Sequence, residues 1–136
     1  MKSFKYKDII IIKSKEWEKL NSIKEYQEKI FEEIKHINEF GEEFWYAREL
    51  QKVLDYSEWR NFNLVINKAI TACENSQNNR CDHFVDVNKT IAMPKGASEK
   101  VEDFMLSRYS CYLIVQNGDS RKRVIALGQT YFDCNT

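Results

Sequence analysis

The residues from Phe44 to Cys73, FWYARELQKVLDYSEWRNFNLVINKAITAC, constrain the fold more than any other stretch of the chain. Phe44-Trp45-Tyr46 is an aromatic, β-favouring run, and a helical pattern follows it without a break. Ala47, Leu50, Val53 and Leu54 recur at three- and four-residue steps, so they share one face of a short helix. Asp55-Tyr56-Ser57 interrupts the pattern, and Ser57 is placed to cap a second helix by accepting a backbone N–H bond. In that second helix Trp59, Phe62, Val65, Ile66, Ala69, Ile70 and Cys73 form a broad apolar stripe. Its other face reads Arg60, Asn63, Asn67, Thr71 and Glu74, with Lys68 beside them. Two helices joined by so short a break resemble a helix-turn-helix, in which the second helix presents its polar face. Arg and Asn are the side chains that make bidentate contacts to guanine and adenine edges. A solvated amphipathic helix packed on a core satisfies the same pattern, and these residues alone leave both readings open.

Composition narrows the function classes. A chain of 136 residues supports one domain with a single core. With 43% hydrophobic and 31% charged residues, its balance is that of a globular protein rather than a disordered tail. The formal net charge is zero, so the strongly basic footprint of many nucleic-acid-binding domains is missing. Any DNA contact must come from a local patch, and a protein-binding module fits the balanced charge at least as well. The four cysteines, Cys73, Cys81, Cys111 and Cys134, are irregularly spaced and form no CxxC pair. They are expected to be free thiols holding no metal, with Cys73 and Cys111 as small buried residues. Nothing resembles a signal peptide or a membrane span, because the Ile9–Ile12 run is too short. A cytoplasmic setting with reduced thiols is the expectation.

Residues 1–33 form an N-terminal arm that reads as largely helical. Ile9–Ile12 suits a strand or a buried helix equally, and Trp17, Leu20, Ile23, Ile30 and Phe31 give the rest a thin apolar edge. The arm is either a solvated helix tied to the core or a docking or dimerisation element. Ile34–Ile37 and Glu43–Tyr46 flank Asn38-Glu39-Phe40-Gly41, and Gly41 supplies the positive φ a hairpin turn needs. His36 reads as a surface residue of that hairpin. Glu74–Arg80 is polar and unpatterned, an exposed loop. His83–Val87 and Val101–Leu106 read as a second hairpin around the turn-rich Met93–Ser98. Beyond it, Leu106, Tyr109, Leu113, Ile114 and Val115 line one helix, which Asn117-Gly118 stops. Asp119 or Ser120 can cap a final helix carrying Val124, Ile125, Leu127, Tyr131 and Phe132.

Arg121-Lys122-Arg123 would then lie in the first turn of that final helix. Cations there oppose the positive end of the helix dipole, and a bound anion such as a DNA phosphate would relieve the penalty. A screened surface cluster is the other reading. No catalytic motif is present: there is no GxSxG, P-loop or HExxH, and two histidines are too few for the usual acid–base sets. Adjacent acidic pairs such as Glu42-Glu43 and Glu102-Asp103 are solvent-facing patterns more often than a nuclease metal site.

Three blocks carry a family resemblance: FWYARELQKVLDYSEWRNF, then DHFVDV, then LSRYSCYLIVQNGDSRK. In this order they resemble the DNA-damage-inducible protein D family, whose first half is similar to the BRO N-terminal domain of viral and phage proteins. The resemblance runs from about Phe31 to Phe132. It implies a bacterial or phage protein tied to the DNA-damage (SOS) response, binding DNA or acting as an antirepressor, without enzymatic activity. Longer members of that family continue with a second half. The expected architecture is a compact α+β domain over residues 34–136, with two small β-hairpins and about five helices. The expected function is a non-catalytic DNA-binding or regulatory module needing no cofactor. Arg60, Asn63, Asn67 and Lys68 would face the groove, and Arg121, Lys122 and Arg123 would clamp phosphate. The alternative is an inhibitor or antirepressor that binds a recombination, repair or repressor protein. The DNA could be duplex or single-stranded, and a homodimer is compatible with either reading.

Overall fold

The computed structural model describes residues 29–133, together with residues 15, 16, 18, 19, 22 and 25 of the preceding segment. The Ile9–Ile12 run, the apolar edge at Trp17, Leu20 and Ile23, and Cys134 lie outside the described residues. Residues 29–33 are helical, and Phe31 is fully buried, so the core reaches back before residue 34.

The expected first hairpin is present. Strands β1 (Lys35–Ile37) and β2 (Glu43–Tyr46) pair antiparallel in the register His36 with Phe44. Asn38 organises the turn: its Oδ1 accepts from Phe40 N and Glu42 N, each at 2.9 Å. Gly41 takes φ +78, the left-handed conformation that favours glycine. The chain then turns directly into helix α1 (Ala47–Val53), with Ala47 and Leu50 buried.

Helix α2 (Trp59–Asn75) follows, burying Phe62, Val65, Ile66, Ala69 and Cys73 as their spacing predicts. Ser57 does not cap it. The residue preceding α2 is Glu58, in an extended conformation with no side-chain cap bond. Asp55 adopts φ +65, and Gln51 Nε2 donates to Tyr56 O at 2.9 Å, so the break between the helices is longer than the pattern suggests. The expected loop at Glu74–Arg80 is shortened from both sides. Helix α2 runs to Asn75, and Asn79 Oδ1 accepts from Cys81 N to cap a one-turn helix α3 (Arg80–His83).

The second hairpin is longer than its alternation predicts. Strands β3 (Phe84–Ala92) and β4 (Ser98–Leu106) pair along their whole length around a turn at Pro94–Gly96. It also joins the first hairpin. Trp45 pairs with Leu106 and Tyr46 with Met105, giving one four-stranded antiparallel sheet in the order β1-β2-β4-β3. Leu106, which helical spacing also places on the following helix, ends β4 instead.

Helix α4 (Arg108–Gln116) is capped by Ser107, whose side chain accepts from Ser110 N. Helix α5 (Arg123–Tyr131) closes the fold. Neither Asp119 nor Ser120 caps it, because Lys122 occupies that position without a side-chain cap bond. Gly128 lets α4 and α5 approach, since a Cβ there would stand 2.9 Å from Val115 Cγ1. The helices cover one face of the sheet, where Trp45, Phe84, Phe104 and Leu106 meet Phe62, Ile66, Ile114, Ile125 and Phe132. This is the expected α+β class. On the opposite face His36 stacks on Phe44 at 5.3 Å and Tyr46 meets both rings edge-on, so these aromatics lie outside the core. No helix among the described residues is long and apolar enough to cross a membrane.

Candidate nucleic-acid interface

The exposed side of α2 is what remains after its apolar stripe is buried. Arg60, Asn67 and Lys68 are all exposed on it, with Thr71 one step beyond them along the helix. No ion pair among the described residues engages Arg60 or Lys68. Asn63 lies at the margin and is half-buried, and its Oδ1 is out of solvent with no hydrogen-bond partner. Four-residue steps place Trp59, Asn63 and Asn67 in one row along the flank. Two exposed residues of this side, Asn61 and Leu64, were not singled out from the sequence; Leu64 is 58% exposed at the centre of the polar face.

The Arg121-Lys122-Arg123 cluster sits differently from the expectation, because α5 begins only at Arg123. Arg121 folds back on Asp119, donating from Nε at 2.9 Å and from Nη2 at 3.0 Å. That guanidinium holds the Asp119 carboxyl below the usual carboxylate range, and the hydrogen-bonded Asp119 carboxylate in turn pushes the Arg121 guanidinium up. Lys122 Nζ donates to Asp55 O at 2.8 Å and lies 4.0 Å from the Tyr56 ring centroid. Arg123 is exposed. Lys122 therefore ties the start of α5 to the turn that precedes α2, and the two groups of candidate residues flank one turn.

A second set of contacts holds the start of α2 against the long hairpin. The Arg48 guanidinium lies 4.1 Å from the Trp59 ring centroid, and its Nε donates to Glu102 O at 2.8 Å. Trp59 stacks on Phe104 at 6.4 Å with an interplanar angle of 25°, and stays only half-buried. Asp103, fully buried, accepts from Arg48 N and Phe104 N at 2.9 and 2.8 Å through Oδ1. It caps α1 from another element, which local spacing cannot signal. One end of α2 is thus fixed to β4 where β2 stops pairing with it.

Two shallow clefts border this region. One, of about 280 Å³, is lined by Glu58, Arg60 and Asn61. The other, of about 340 Å³, is lined by Gln51, Lys52, Asp55, Tyr56 and Ser57. The first is small and polar, and the second lies at the low end of the volumes usual for small-molecule sites. Among the described residues no group of three or more His, Cys, Asp or Glu side chains is placed to hold a metal. Cys73 and Cys81 are free thiols, and burial pushes the Cys73 thiol up.

The model of the BRO family, N-terminal domain, matches residues 33–132. The chain is also similar to DNA damage-inducible protein D of Escherichia coli (strain K12), with 51% identity over 106 residues. That alignment covers 78% of this chain and 39% of the relative, so the chain spans about two fifths of that protein's length. No solved structure gives a significant match. The match over most of the length agrees with the three sequence blocks and with the α+β architecture: this chain belongs to the BRO family and carries its N-terminal domain.

Proposed function

We propose that this domain is a non-catalytic module of the DNA-damage response that binds duplex DNA through the exposed side of α2. The observation that carries the reading is the set Arg60, Asn67 and Lys68, exposed together on a helix whose other side is locked into the core. Helix α2 is held at its start by Trp59 and along its length by Phe62, Ile66 and Cys73, so its polar side is a rigid platform. Asn67 and Arg60 have the donor geometry to read base edges, and Lys68 to meet phosphate. Arg123 and Arg121, beside the turn before α2, would add phosphate contacts. The link to DNA damage rests on the similarity to DNA damage-inducible protein D.

The test is a titration of duplex binding against salt. The unmutated protein should lose affinity linearly on a log–log scale, and Lys68→Ala should reduce the slope by about 0.9 if it neutralises one phosphate. Arg60→Ala and Asn67→Ala should each weaken a preferred sequence by about 1–3 kcal/mol while changing other sequences less. Absence of duplex binding at low salt would defeat this reading.

One observation favours a protein partner instead. Leu64, at the centre of the α2 face, is an exposed leucine that a protein surface would bury. On that alternative the domain inhibits a recombination, repair or repressor protein, and Leu64→Asp abolishes the interaction while the salt dependence stays shallow.

A further inference from the structure

The β3–β4 hairpin projects beyond everything that supports it. β2 pairs with β4 only at Trp45–Leu106 and Tyr46–Met105, and the start of α1 covers the next stretch of β4 through Arg48. From Thr90–Lys100 to Ala92–Ser98 the two strands pair only with each other. At 3.4 Å per residue this outer part extends roughly 10 Å before the tip turn is counted. Nearly all of its residues are exposed, including Met93 and the turn Pro94-Lys95-Gly96.

Its charge departs from that of the whole chain. Residues 88–100 carry Lys89, Lys95 and Lys100 against one acid, Glu99, in a protein whose formal net charge is zero. The register also separates these cations. Lys89 pairs with Val101 and Thr90 with Lys100, and successive pairs face opposite sides of a ribbon. Lys89 and Lys100 therefore flank the ribbon on its two faces, while Lys95 sits at the tip. Lys89 rests over the Tyr46 ring at 5.0 Å, at the root of the projecting part.

We infer that this arm enters the major groove of duplex DNA tip-first, beside the site engaged by α2. The inference rests on the DNA-binding reading above and adds a second contact to it. A two-stranded ribbon with its side chains is about 10 Å thick, close to the ~12 Å width of the major groove and too thick for the ~6 Å minor groove. The outer part of the arm is about as long as the groove is deep, ~8.5 Å. A ribbon inserted tip-first turns its two faces to the two walls of the groove, which are lined by phosphates. Lysines on both faces meet that requirement, whereas a ribbon laid flat would need them along its edges. The arm also starts where α2 starts, because Trp59 stacks on Phe104 and Arg48 bridges Trp59 to Glu102 O. That joint fixes the arm relative to the start of α2, where Arg60 lies.

The experiment uses the unmutated chain and the double variant Lys89→Gln/Lys100→Gln, whose substitutions lie on the two faces of the ribbon and leave the strand pairing intact. Trypsin cleavage after Lys95 is followed with and without a saturating duplex. Bound DNA should slow that cleavage at least about tenfold. The double variant should lower the log–log salt slope by roughly two units, one for each phosphate that is no longer neutralised. It should do so equally on every sequence, and its near-ultraviolet circular dichroism should match that of the parent. If the parent binds duplex but cleavage at Lys95 and the salt slope are unchanged, the arm inference fails and the α2 reading stands. If the parent binds no duplex, both fail.

Discussion

Asp103 contributes to folding through two backbone contacts, one within β4 and one that ties α1 to it. Its Oδ1 accepts from Arg48 N and Phe104 N in a place solvent does not reach, and its Oδ2 has no hydrogen-bond partner. Replacing it by Ala leaves two buried N–H groups unpaired, so Asp103→Ala should cost about 1–3 kcal/mol in urea unfolding. Asp103→Asn keeps the acceptor and should cost less than half as much. Equal losses in the two variants would show that shape, rather than the hydrogen bonds, accounts for the effect. In the sequence Asp103 is one of an ordinary acidic pair with Glu102. Nothing within a few residues distinguishes it, because the helix it caps, α1, lies far away in the chain. Gly41 is the opposite case: the turn that needs its positive φ is built from its immediate neighbours, and the sequence announces it.

Helix α2 was legible because its evidence is periodic and local. Seven apolar residues at helical spacing predict the buried stripe, and the structure buries Phe62, Val65, Ile66, Ala69 and Cys73. Phe62 is fully buried, with Tyr56 at 5.1 Å and Trp59 at 6.1 Å. Phe62→Ala should therefore destabilise by about 3–5 kcal/mol, whereas Leu64→Ala, two residues away on the exposed side, should stay within about 0.5 kcal/mol. Chemical denaturation of both variants checks the face assignment, and a stable Phe62→Ala protein would overturn it. Trp59 departs from the pattern. It is drawn to the flank by Arg48 and Phe104, contacts that come from outside the helix and leave it half-buried. The boundaries were less legible than the stripe. Ser57 has the right side chain for a cap, but the left-handed Asp55 and extended Glu58 carry the chain past it before α2 begins.

At the scale of the whole molecule, Arg108 joins three elements. Its Nε and Nη2 donate to the Glu43 carboxylate on β2 at 2.7 and 3.2 Å, and Nη1 donates to Tyr131 O at the end of α5. The same guanidinium lies against the Trp45 and Tyr131 rings. Hydrogen bonding to Glu43 pushes the Arg108 pKa further up, while burial and the Glu32 carboxylate push the Tyr131 phenol up. The Arg108–Glu43 pair is about one third exposed, so Arg108→Ala should cost less than the 3–5 kcal/mol of a fully buried pair, about 1–3 kcal/mol. Arg108→Lys keeps the charge but loses the fork and should recover only part of that stability. A double-mutant cycle with Glu43→Gln measures the coupling, and strict additivity would show that the pair contributes nothing beyond its separate contacts.

By itself the sequence determined the α+β class, the two hairpins, the buried stripe of α2 and the exposure of Arg60, Asn67 and Lys68. Each of these depends on a period of two or 3.6, or on a turn residue whose effect reaches only its neighbours. Tertiary structure decided that β2 pairs with β4 to make one sheet, that Phe31 joins the core, and that Arg121 and Lys122 bond to Asp119 and to Asp55 O. It also decided how far the lysine-bearing arm projects, since that length is set by where β2 stops pairing with β4. These outcomes depend on groups far apart in the chain meeting in one place, and a cation carries the same letter whether it ends against a carboxylate or in water.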